Sequence, residues 1–213
     1  MKPFTKNEKI GVILILLAIA LATGINLRLA LRRSRDAQRR ADMGAVSNAL
    51  HSFFDDFGFF PPAEDGKIKA CRATNFDTIL AEVANQEQFD RDKFFDALVP
   101  CRWGNDSLDD LGLFGSETKT YLKSIPVDPR KDEGADYVYL SNTKRFQIYS
   151  YLEGENSEEG YDLGIVDRSL MCGNEICSFG KTYTKTPLDK SIEEYELELL
   201  EKLKLEQSGV GVL

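Results

Sequence analysis

From Ile10 to Leu27 the chain reads IGVILILLAIALATGINL, 18 consecutive positions without an ionisable side chain. At about 1.5 Å per residue a helix of this length approaches the roughly 30 Å hydrocarbon thickness of a bilayer, so the segment is expected to cross a membrane. A second reading is a secretory signal, because Lys2, Lys6 and Lys9 make a basic leader and Ala20-Leu21-Ala22 is a small-x-small cleavage pattern. The span is preferred because its apolar stretch exceeds the roughly 7 to 15 residues usual in a signal. Charge alone orients the span with the large domain in the cytoplasm: Arg28, Arg32, Arg33, Arg35, Arg39 and Arg40 outnumber the lysines that precede it.

Charge is distributed unevenly beyond that. Residues 1–40 carry nine Lys/Arg against two acids, which leaves 18 bases against 33 acids in the rest of the chain. An acidic domain offers no basic face to phosphate, so nucleic acid is not an expected partner. Four cysteines, Cys71, Cys101, Cys172 and Cys177, all follow the span. An even number suits disulfides in an oxidising compartment, which opposes the orientation read from charge. Free thiols and a four-thiolate zinc site are the alternatives, the latter lacking paired C-x2-C knuckles. Of three possible pairings, the local one joins Cys172 to Cys177 across CGNEIC and Cys71 to Cys101.

Past the span, residues 28–57 hold no proline, and Gly44 alone interrupts good helix formers. Met43, Val46, Leu50, Phe53, Phe54 and Phe57 recur at helical steps as one apolar stripe, with Arg39, Arg40, Asp42 and Ser47 expected mostly off it. Gly58 and then Pro61-Pro62 stop the helix. His51, the single histidine, reads as a boundary residue, and Trp103 as a core plug. A second helical stretch is expected over Phe76–Leu98, weakened at Asn85–Gln88 and so open to division into two. DYVYLS and RFQIYSYL, separated by Asn142-Thr143-Lys144, read as an antiparallel hairpin, with GYDLGIV and ICSFGKTYTK as further strands. From Ser191 a last helix opens on a Ser191/Glu194 capping box, with Ile192, Tyr195, Leu199 and Leu203 as its stripe. The expectation is an α+β fold: a long N-terminal helix packed on a small antiparallel sheet, plus a C-terminal helix. Its parts are an N-terminal segment (1–9), the span (10–27), a stalk (28–60), a globular head (61–186) and a C-terminal helix and tail (187–213).

Three local patterns resemble the type IV pilin and pseudopilin family, most of all the major pseudopilins of type II secretion. Arg35-Asp36-Ala37-Gln38-Arg39-Arg40-Ala41-Asp42 is similar to the RDAxRKAD run just past the membrane in those proteins. Phe57-Gly58-Phe59-Phe60-Pro61 resembles their Y-x-x-N-G-x-Y-P helix end, and Tyr121 to Pro129, YLKSIPVDP, their YL-x-x-[IL]P-x-DP segment. The resemblance implies a structural subunit in the cytoplasmic membrane, N-terminus cytoplasmic and head periplasmic or extracellular. Its implied partners are the membrane, like subunits or other pilins along the N-terminal helix, and secretion or pilus machinery. The family's processing signal, G-F-T-L-I-E, aligns with Pro3-Phe4-Thr5-Lys6-Asn7-Glu8. Phe4, Thr5 and Glu8 match, whereas Pro3 replaces the glycine before the scissile bond, so poor or absent cleavage is expected. A permanently anchored, non-polymerising binding domain is the alternative function.

Chemistry is sparsely signalled. One histidine, no H-E-x-x-H, no G-x-S-x-G and no phosphate-cradling glycine loop give no support to an enzyme. The loop LEGENSEEGYDLG offers Glu153, Glu155, Asn156, Glu158, Glu159 and Asp162 as oxygen ligands, enough in number to begin a calcium shell. The resembling pseudopilins place calcium after this part of the sheet. A solvated acidic turn is the alternative reading.

Overall fold

The computed structural model describes residues 5–84, 89–113 and 117–207. One helix, α1 (Lys6–Phe57), runs without a break through residues 10–27 and 28–57. Its first 30 residues touch little: an 18-residue window of mean hydropathy 2.6 has none of its residues buried, and α1 thus carries a segment long and apolar enough to cross a membrane. Burial begins at Asp36 and continues through Arg39, Met43, Val46, Leu50 and Phe53. The helix ends where the chain turns left-handed at Gly58 (φ 75°), whose N–H donates to the Phe54 carbonyl at 2.7 Å.

The head folds back along that buried face. After Pro61-Pro62 come β1 (Ala63–Glu64) and β2 (Lys67–Arg72), then two short helices, α2 (Phe76–Ala84) and α3 (Arg91–Asp96), and β3 (Leu98–Pro100). The expected helix over 76–98 is therefore divided, and its weak point, Asn85–Gln88, lies outside the described residues. β4 (Leu108–Asp109) pairs with β5 (Thr120–Leu122). β6 (Val138–Ser141) and β7 (Phe146–Ser150) form the expected hairpin, its turn held by the Asn142 side chain, which accepts from the backbone N–H groups of Lys144 and Arg145.

GYDLGIV departs from expectation: it is a short helix, α4 (Leu163–Asp167), not a strand. Asp162 accepts from Gly164 N at 2.8 Å as its N-cap, and only Ile165 of the apolar set is buried while Leu163 is 68% exposed. A cap with one buried residue per turn favours a helix over an alternating strand. β8 (Met171–Cys172) and β9 (Glu175–Ile176) form a small hairpin, and β10 (Phe179–Thr182) completes an antiparallel sheet in the order β10-β7-β6.

Every residue of the central strand β7 is buried, because both sheet faces are covered. Phe146 and Ile148 belong to the main core with Met43, Val46, Leu50 and Phe53 of α1 and with Phe60, Ile68, Phe94, Leu98 and Tyr139. Tyr149 points the other way, into a second cluster with Ile165, Cys172 and Cys177. Each fully buried Leu or Phe on α1 contributes about 1.5–3 kcal/mol of transfer free energy, so the sheet is seated chiefly by these four stalk residues. α5 (Ile192–Gln207) opens with the expected capping box: Ser191 N donates to Glu194 Oε2 at 2.8 Å and Glu194 N to Ser191 Oγ at 3.1 Å. It docks by its first turns, and Leu200, Leu203 and Leu205 stand exposed beyond them.

Candidate functional site

One turn below Met43, the buried face of α1 changes from apolar to charged without leaving the head. Asp36 and Arg39 lie seven and four residues before Met43, which puts them on the same side of the helix. Both are buried, Arg39 completely. The expectation that Arg39 lies off the packed stripe is thus corrected: it extends that stripe. A lone buried guanidinium carries a desolvation cost of several kcal/mol, so its partners decide whether the arrangement holds.

They come from two distant segments of the head. Asp128 accepts from Arg39 Nε at 2.7 Å and from Nη2 at 2.9 Å, a bidentate pair. Arg39 Nη1 donates to Asp36 Oδ1 at 2.8 Å and to Glu153 Oε1 at 2.9 Å. Asp36 in turn accepts the backbone N–H groups of Glu153 and Gly154, each at 3.0 Å, which ties the segment just after β7 to the helix. Arg35 grips Glu153 through Nε at 2.6 Å and Nη2 at 2.5 Å. With Arg130 3.8 Å from Glu153, three arginines face three carboxylates, Arg39 fully buried and Arg35 and Arg130 partly exposed at the edge. Hydrogen bonds from Arg35 and then Arg39 hold the Glu153 carboxyl down to about 2, outweighing the opposing effect of its partial burial.

The same helix run makes further contacts. Arg40 donates to the Glu159 carbonyl at 2.9 Å, and Tyr137 Oη donates to Asp42 Oδ2 at 2.8 Å. Burial, then that carboxylate partner, pushes the Tyr137 hydroxyl well above the ordinary phenol range. Near the distal end of α1, Tyr121 Oη and Lys119 Nζ each donate to Asp56 Oδ2 at 2.6 Å. Arg35, Asp36, Arg39, Arg40 and Asp42, the charged residues of this run, are each engaged by the head, and the arrangement is a latch between stalk and head rather than a pocket for chemistry.

The other residues read from the sequence fall as follows. Cys71 pairs with Cys101 and Cys172 with Cys177, the local solution, and no cysteine is left free. Of the acidic loop, Glu153 belongs to the latch, the Asn156 side chain caps a single 3-10 turn by accepting from Glu158 N, and Asp162 caps α4. The Glu159 carboxylate lies 3.8 Å from Arg33 Nε, while Glu155 and Glu158 are exposed. Among the described residues no group of three or more His, Cys, Asp or Glu side chains is gathered for a metal ion. Pro3 and Phe4 lie outside the described residues. Glu8 accepts the Thr5 backbone N–H at 2.7 Å while Thr5 Oγ1 accepts from Glu8 N at 3.4 Å, a capping box at the start of α1.

The Asp36/Arg39/Asp128/Glu153 cluster was not singled out from sequence. The signal available is periodic: stepping back from Met43 by four and seven residues lands on Arg39 and Asp36, so a charged pair prolongs an apolar face. Against protein-family models, curated proteins and solved structures, the chain matches none.

Proposed function

We propose that this protein is a pilin-like or pseudopilin-like structural subunit of a type IV pilus or type II secretion-type assembly. It is anchored in the cytoplasmic membrane by residues 10–27 and carries its head on the extracytoplasmic side. The observation that carries this reading is the meeting of three segments that resemble the family separately. Arg39 of the RDAQRRAD run holds Asp128 of YLKSIPVDP, Asp56 before the helix end holds Tyr121, and the helix stops on Gly58. Segments 89 and 65 residues apart in sequence thus serve one purpose, a helix rigidly joined to a head. Two disulfides in the head support an oxidising compartment, where a translocated domain overrides the charge rule. The membrane-facing part of α1 is left for lipid and for neighbouring subunits, and no catalytic role is assigned.

Chemical cross-linking of isolated membranes tests this: a ladder of like subunits or copurifying filament machinery is expected, and a monomer alone refutes it. The second reading, a permanent anchor for an interaction domain, is favoured by Glu8, whose carboxylate is occupied by its own helix start. Mass spectrometry of the mature N-terminus separates the two. A free or methylated Phe4 supports assembly, intact Met1 favours the anchor, and a start near Thr23 indicates simple secretion.

A further inference from the structure

Arg28, Arg32, Arg35 and Arg39 are spaced four, three and four residues apart on α1 and so form a single column on the face that carries the head. The upper two are neutralised: Arg39 by Asp36, Asp128 and Glu153, and Arg35 by Glu153. The lower two have no carboxylate partner among the described residues. Arg32 is tucked beneath the overhanging loop, since a Cβ added at Gly154 would lie 3.3 Å from Arg32 Nη2. Its Nε is buried with no acceptor. Asp36, one helical turn on, is already taken up by Arg39 and two backbone N–H groups. A buried donor without an acceptor is a standing cost that an anion removes.

Depth identifies the anion. Arg28 and Arg32 stand about 1.5 and 7.5 Å along the helix beyond Leu27, the last residue of the apolar run, and a headgroup layer adds roughly 5–7 Å to each side of the hydrocarbon. We propose that Arg28 and Arg32, with the underside of the Gly154 loop as a roof, form a binding site for the phosphate of an anionic membrane lipid. A planar guanidinium suits this role because it meets phosphate oxygens through two parallel N–H donors. The bound lipid completes the arginine column with negative charge and fixes the height of the head above the bilayer. This inference rests on the membrane-anchored reading of residues 10–27.

Native mass spectrometry of the full-length protein in detergent, titrated with phosphatidylglycerol, phosphatidylcholine or phosphate-free diacylglycerol, tests it. Preferential retention of phosphatidylglycerol is expected. R28Q/R32Q weakens that retention roughly tenfold, on the scale of surface arginines at an anionic membrane, and R28K/R32K falls between. The melting midpoint stays within about 3 °C of wild type, since neither side chain hydrogen-bonds to the head and only Arg32 packs against it, under the Gly154 loop. Equal retention of diacylglycerol, a preference that survives R28Q/R32Q, or full displacement by inorganic phosphate overturns the proposal. Carbonate extraction keeps the two readings apart: release from membranes refutes the anchor itself, whereas a carbonate-resistant protein with no lipid preference refutes only the phosphate site.

Discussion

Arg39 makes four hydrogen bonds to three carboxylates, so its removal strands Asp36, Asp128 and Glu153 around an empty space. Breaking a buried pair from one side typically costs about 3–5 kcal/mol, because the remaining charge keeps its desolvation cost and loses its partner. Arg39→Ala is expected to lose that much in urea unfolding, and a loss below about 1 kcal/mol refutes the latch. Glu153 gives the same cluster a pH dependence. Its folded value of about 2 lies below the ordinary 4.5, so its contribution is fully present above pH 4.5 and disappears as pH falls toward 2. The amount is on the order of 3 kcal/mol. Glu153→Gln is expected to start lower at neutral pH and to flatten the stability profile across that window, which thermal melts from pH 2 to 6 measure.

At the scale of elements, α5 meets the head through its first turns. Ile192 is buried, Tyr195 lies against the Arg145 guanidinium at 5.1 Å, and Glu196 stands 3.6 Å from Arg145 Nε. Beyond them Leu200, Leu203 and Leu205 are 49–52% exposed. Ile192→Ala is expected to cost about 2–5 kcal/mol in urea unfolding, the range for emptying a buried aliphatic position. By contrast, Gly173 sits at φ 73° in the Cys172–Cys177 turn with its Cβ position 2.0 Å from the Gly134 carbonyl oxygen. Much of this architecture was legible beforehand. The apolar run, the Gly58 stop, the β6–β7 hairpin, the Ser191 capping box and the local disulfides all rest on neighbours within a few residues or on periodicity. Two features depart from the sequence reading for different reasons: a local Asp162 cap winds GYDLGIV into a helix, whereas Arg39 depends on a distant partner. Arg39 looks like surface until Asp128 arrives from 89 residues away, and Glu153, read from sequence as one oxygen ligand of a calcium shell, is held by Arg35 across 118. Calorimetry with millimolar calcium tests that loop directly: heat that Glu158→Gln and Asp162→Asn remove supports a site, and no heat removes the idea.

For the whole molecule, the division falls between Leu27 and Asp36. Residues of the apolar run are 45–66% exposed wherever they are large, a contiguous surface far beyond what a protein in water leaves open. The head owes nothing to them, because the buried positions of α1 begin at Asp36. A chain beginning at Arg28 therefore keeps the latch, the Met43–Phe53 stripe, both cores and both disulfides while losing only the exposed apolar surface of residues 10–27. It is expected to be a soluble monomer that unfolds in one cooperative step, with the midpoint of the detergent-purified full chain to within about 3 °C. The stalk residues Arg28–Arg35 will fray in this fragment, since their helix loses the turns that preceded it. Reduction of its disulfides should lower the midpoint, the 30-residue Cys71–Cys101 loop contributing more than the five-residue Cys172–Cys177 loop, because closing a longer loop removes more freedom from the unfolded chain. Circular dichroism melts with and without reductant, together with sedimentation velocity, measure both. A fragment that aggregates or melts without cooperativity would place part of the head's stability in the membrane segment, contrary to the contacts seen here.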